Sequence, residues 1–218
     1  MGRSVSRAEA VKHIEKRGML LVYPIDNRAE PLSLWSEFFP GQEMRWEWDS
    51  DGDDRVADIW HLKTELSGSG KVVYAKWFRG RATFFSKALF VDLLAELGGT
   101  RLDRRQLTEE SRKILGTLES DSPLSTKQLK AETDLRGKFF ESTYEKALRV
   151  LWRKLLIVGF GEVEDGAFPS LAVGATRHLF EDLWAKALET DPAAARKRTD
   201  ALFPPGNAVE KFLRQLRN

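Results

Sequence analysis

Apolar and polar positions along this chain repeat with two periods, one helical and one alternating. In RVADIWHLKTEL, residues 55–66, Val56, Ile59, Trp60, the Lys63 stem and Leu66 fall at helical spacing, and SGSG ends the run. SRAEAVKHIEKRG also reads as a helix. Ser6 can cap it, Glu9 completes a capping box, and Gly18 stops it. Between them LLVYPI is a short extended run ending at Pro24, and PLSLWSEFF a short helix stopped by Pro40-Gly41. KVVYAKWF and RATFFSK predict two strands of a hairpin around Arg79-Gly80, and ALFVDLLAELGG a helix closed by glycines.

After the basic linker TRLDRRQL the pattern starts again. TEESRKILGTLESD, capped by Thr108, SPLSTKQLKAETD, capped by Ser125, and KFFESTYEKALRVLWRKL predict three helices. LLIVGFGEVEDGAFPSLAV then predicts a hairpin turning at Glu164-Asp165-Gly166. On a wheel, Phe140, Tyr144, Ala147, Val150, Leu151 and Leu155 of the third helix share one side. Lys138, Ser142, Glu145, Lys146, Arg149 and Arg153 share the other. RHLFEDLWAKALE, DPAAARKRTDALF and AVEKFLRQLR predict terminal helices.

Three helices followed by a hairpin is the order of a winged helix, and the first half can be read the same way. The expected fold is therefore α+β and mainly helical: tandem winged helix-turn-helix domains with β-hairpin wings. Residues 1–100 would form the first, 106–176 the second, and 177–218 a helical extension.

Composition adds little to this: 218 residues, 42% hydrophobic, 31% charged, net charge +2, no cysteine. The absence of cysteine excludes disulfides and thiol chemistry. With no secretory signal and no apolar run of membrane-spanning length, a cytoplasmic protein is expected. Charge distribution says more. Residues 30–66 carry ten acids and three bases, residues 71–105 eight bases and three acids. Opposed patches suggest a polyanion on one side only. The candidate contacts are Lys76, Arg79, Arg81 and Lys87 of the first hairpin, with Lys138, Ser142, Lys146, Arg149 and Arg153 of the third helix. Glu162, Glu164 and Asp165 would repel phosphates, so the second wing should not lie along a nucleic-acid backbone.

Other signals do not hold. DSDGDD at 49–54 lacks the Gly and Glu spacing of a calcium loop. His13, His61 and His178 are scattered, so no metal site is expected, and no cofactor motif appears. Trp35, Trp60 and Trp77 are expected in the core, with stacking on an unpaired base the other use for one of them. Asp26, after the apolar run Met19–Val22, reads two ways: a turn residue bonding nearby backbone N–H groups, or a working carboxylate.

VYPIDNRAEPLSLW, DIWHLKTEL, KWFRGRATF and the later winged helix together resemble the AlkZ/YcaQ family of bacterial winged-helix DNA glycosylases, most closely its AlkZ-related branch. The resemblance covers residues 5–175. It implies stacked winged helices around a DNA channel, removal of alkylated purines or unhooking of crosslinks, and no metal or cofactor. The family's motif is Gln, an apolar residue, then Asp or Gln. Pro24-Ile25-Asp26 stands in that place, so the resemblance implies Asp26 as catalytic carboxylate, but Pro24 offers no amide to hold the attacking water. The expectation is a DNA-binding winged-helix protein related to DNA repair, without catalysis; the alternative is a monofunctional glycosylase acting through Asp26.

Overall fold

The computed structural model describes residues 5–46, 53–164 and 169–217. The first half runs α1 (Arg7–Arg17), β1 (Met19–Leu21), α2 (Leu34–Phe38), α3 (Arg55–Ser67), β2 (Val73–Lys76) and β3 (Ala82–Phe85). After α4 (Lys87–Glu96), the second half repeats that order: α5 (Glu109–Ser120), β4 (Leu124–Ser125), α6 (Thr126–Glu132), α7 (Glu141–Arg153), β5 (Ile157–Val163) and β6 (Ser170–Ala175). The chain closes with α8 (Thr176–Leu179), α9 (Glu181–Glu189), α10 (Pro192–Leu202) and α11 (Ala208–Arg217).

Local chemistry sets many of these boundaries. Ser6 accepts from the Glu9 amide at the start of α1, and Gly18, at φ 75, donates its amide to Ile14 and ends it. Thr108 caps α5, and Ser125 with Gln128 forms a capping box on α6. Pro192 occupies the first turn of α10, whose cap is Asp191.

The fold is a mixed α+β arrangement of winged-helix repeats. In each half the first, two- or three-residue strand pairs with the third, and the second and third form the hairpin. The halves meet at one register point, Tyr74 opposite Gly159, giving a six-stranded sheet of order β1-β3-β2-β5-β6-β4. That order is a palindrome of the repeat. Gly159 is required at the seam, because a Cβ there would lie 2.4 Å from the Tyr74 ring. Burial pushes the Tyr74 phenol well above its ordinary value, and the Glu162 carboxylate adds to the shift.

Both faces of the first three strands are covered away from the hairpin turn, which explains the apolar runs at 19–21, 73–75 and 84–85. Met19, Leu21, Val73, Ala75 and Phe85 join a core built with α4, α5, α7 and the terminal helices. Their neighbours Leu20, Val22, Val72, Tyr74 and Phe84 join a second core under α1, α2 and α3. The period of two thus feeds two cores from one sheet. The terminal helices pack on α4: Ala187 and Ala195 are fully buried, and Arg198 pairs with Asp92. Arg217 ties α11 down through Glu96 and, at 2.8 Å, Asp200.

Several sequence expectations need correction. Trp60 is not core but 52% exposed, because one step of 100° beyond Ile59 carries it off the buried stripe of α3. The predicted helix from residue 138 starts only at Glu141, and Phe140, placed on its apolar side, is 38% exposed. Leu148 and Trp152 are buried in its stead beside Tyr144, Ala147 and Leu151. RHLFEDLWAKALE is two helices, broken at Phe180. Asp165 and Gly166 of the expected turn, and most of the acidic segment 49–54, lie outside the described residues.

Candidate nucleic-acid interface

The turn of the first hairpin projects cations from an apolar foot. Trp77 and Phe78 are buried, while Arg79 and Gly80 take consecutive positive φ values of 51 and 76. Gly80 has open space around its missing Cβ, so it is backbone conformation that calls for glycine. Thr83 fixes the turn, donating to the Arg81 carbonyl at 2.8 Å. Two other elements clamp the foot. The Trp77 indole donates to the Arg153 carbonyl at the end of α7, at 3.2 Å. Phe212 of α11 meets Trp77 and Phe78 edge-on, each at 5.1 Å.

This clamping makes an open cleft of about 510 Å³ between hairpin, α7 and α11. Lys76, Arg79, Arg149 and Arg153 line it, with Thr126, Glu145 and Gln215 as the other polar side chains and Leu148, Trp152, Leu171 and Val173 along its apolar floor. Among the described residues none of the four cations has an ion-pair partner. Of the other predicted contacts, Arg81, Lys138, Ser142 and Lys146 are exposed but do not line the cleft. Lys87 is half-buried in the first turn of α4, apart from it. The linker bases are spent elsewhere: Arg104 pairs with Glu119, Arg105 with Asp103, and Arg101 donates to the Leu188 carbonyl.

The counterpart of α7 in the first half, α3, presents a different face. Lys63, whose side chain is 7% exposed, pairs with Glu162 of the second hairpin at 3.0 Å. Thr64 donates to the same carboxylate oxygen at 3.0 Å, and the Lys63 ammonium lies 4.0 Å from the Trp60 ring centre. Glu162, expected to repel phosphates, is thus held by α3. Each helix of the pair lies beside the other half's hairpin, but only α7 keeps its cations free.

Asp26 lies in a turn at φ 50, followed by Asn27 at φ 52, a conformation that Asp and Asn tolerate. Its side chain is 72% exposed, with the Arg28 guanidinium 3.8 Å away. Its neighbour Asn27 ties the turn to a distant segment instead, donating to the Met44 carbonyl at 3.0 Å and accepting the Met44 amide at 2.8 Å. The Val22 amide donates to the Ala82 carbonyl, so this segment leaves the sheet at the end where the Arg79 turn lies. Asp26 is not among the residues lining the cleft.

Sequence reasoning gave no role to Phe212, Gln215, Trp152 or Thr126. The apolar positions Phe212, Leu213 and Leu216 of α11 were a signal that it docks, but not where. Among the described residues no group of His, Asp and Glu converges as a metal site, and no helix is long and apolar enough to cross a membrane.

A repeated winged helix in which one third helix shows an exposed cationic face is a fold of the nucleic-acid-binding class. Within that class, the family model described as AlkZ related matches residues 5–204, and the chain belongs to that family. No curated protein and no solved structure matches the chain.

Proposed function

We propose that this protein binds duplex DNA through α7 and the first hairpin, in a DNA-repair setting, and performs no base chemistry of its own. The observation that carries this is the convergence of Lys76 and Arg79 from one element with Arg149 and Arg153 from another, on one open cleft and with no ion-pair partner among the described residues. Four unneutralised cations on a fixed frame suit successive phosphates flanking a groove. The exposed face of α7, with Ser142 and Lys146, is then turned to the bases as a recognition helix requires. Membership of the AlkZ-related family supports DNA as the polyanion. The catalytic alternative draws support from the exit of the Asp26 segment at the hairpin end. Against it stand the exposure of Asp26 and the proline where the resemblance calls for glutamine.

The test is titration of a labelled duplex at several salt concentrations. Arg149→Glu with Arg153→Glu should weaken binding at least tenfold and flatten its salt dependence, as should Arg79→Glu with Arg81→Glu. Unchanged affinity in the α7 pair would remove the interface from this cleft.

A further inference from the structure

Phe139 is the most exposed large apolar side chain among the described residues, at 87%. It sits in the turn leading into α7, edge-on to Phe140 at 5.1 Å and 90°. Exposed Arg136 and Lys138 precede the pair, and Glu141, paired with Lys130, follows it. The base beneath is fixed: Lys130 of α6 pairs with Glu141 of α7 at 2.8 Å, and its ammonium lies 4.9 Å from the buried Tyr144 ring centre.

Two rings are far too little area for a stable protein interface, which takes on the order of 800 Å² per partner. The cations around them ask for a polyanion with flat apolar faces. Nucleic-acid bases are such faces, and they become accessible where stacking is interrupted. Within α7, Glu141 precedes Arg149 by eight residues, about 12 Å along the helix and between three and four base steps of about 3.4 Å, and Phe139 lies just beyond that end. Ring and cleft can therefore engage one stretch of duplex.

We infer that Phe139 is a wedge that stacks on bases at a break in the helix, such as a bulge, mismatch or missing base. The inference rests on the DNA-binding reading above and names the form of DNA that the same surface selects. Phe140 holds the wedge upright from behind, and Arg136 and Lys138 take the adjacent phosphates.

The experiment compares an intact duplex with one carrying a central single-base bulge and 2-aminopurine beside it. Wild type should bind the bulged duplex roughly tenfold more tightly and change the 2-aminopurine emission, in line with the value of one aromatic–base stack. Phe139→Ala should bind the intact duplex like wild type while losing both the preference and the emission change. Phe139→Trp should restore them. A preference kept by Phe139→Ala overturns the inference, and equal binding of both duplexes by wild type overturns it too. Failure of wild type to bind either duplex removes the DNA-binding reading, and the wedge with it. Arg149→Glu with Arg153→Glu should lose both duplexes alike, which separates the two.

Discussion

The indole N–H of Trp77 reaches 3.2 Å to the backbone carbonyl of Arg153, joining the foot of the first hairpin to the last turn of α7. One bond thus fixes the spacing between the two cationic elements of the cleft. It joins residues 76 positions apart, one from each half of the chain.

Trp77→Phe tests that bond. The ring contacts with Phe85 and Phe212 are largely kept, but the Arg153 carbonyl loses its donor and part of the ring volume is lost. Stability should fall by about 2 kcal/mol in urea unfolding. DNA affinity at a temperature where the variant is folded should fall with it. Full affinity in a folded variant would show that the hairpin and α7 hold their spacing without this bond.

Lys63 and Glu162 form an ion pair between α3 and the second hairpin. Glu162→Ala leaves the Lys63 ammonium in a largely dry site and should cost about 3 kcal/mol. Lys63→Met combined with Glu162→Leu removes both charges and should lie well above that single variant in stability. Additive losses in the double variant would show that the pair is not coupled.

Asp26→Asn should leave stability within about 0.5 kcal/mol of wild type, since the side chain is exposed and its ion pair with Arg28, at 3.8 Å, is solvated. DNA binding should be unchanged, and neither protein should release bases from alkylated genomic DNA. Base release by wild type that disappears in the Asn variant would instead make Asp26 a catalytic carboxylate.

Alkaline pH should destabilise the fold from about pH 10 upward. Burial pushes the phenols of Tyr74 and Tyr144 above their ordinary value, with nearby carboxylates adding to the shift. An unfolded chain loses those protons near its reference value of 10.0, while the folded chain retains them. Their contribution is therefore complete below that pH and is lost as pH rises through the folded values. Urea midpoints measured on both sides of pH 10 check this, with a flat profile as the contrary result.

Much of the fold was legible because the repeats announce themselves locally. Caps such as Ser6, Thr108 and Ser125, the Arg79-Gly80 turn and the period of α7 are all short-range signals. β4 was not legible, since the two residues Leu124–Ser125 are too short to show a period. Nor was the seam: Tyr74 and Gly159 meet across 85 positions, and neither has a local reason to do so. Of the site, the sequence exposed the cations but not their grouping. Lys87 and Lys76 look alike in a charge profile, yet only Lys76 turns into the cleft. Trp60 read as core because helical spacing constrains a stripe only to within one residue either side.

The palindromic strand order has a last consequence. Proteins that read DNA with two equivalent helices favour palindromic targets, because each helix meets the same half-site. Here the two halves are arranged like such a pair, but α3 has turned its lysine inward onto Glu162 while α7 faces out. On the reading proposed above, the internal dyad belongs to the scaffold and not to the target: the protected stretch of DNA should be short and one-sided, with no mirror-image half-site beside it.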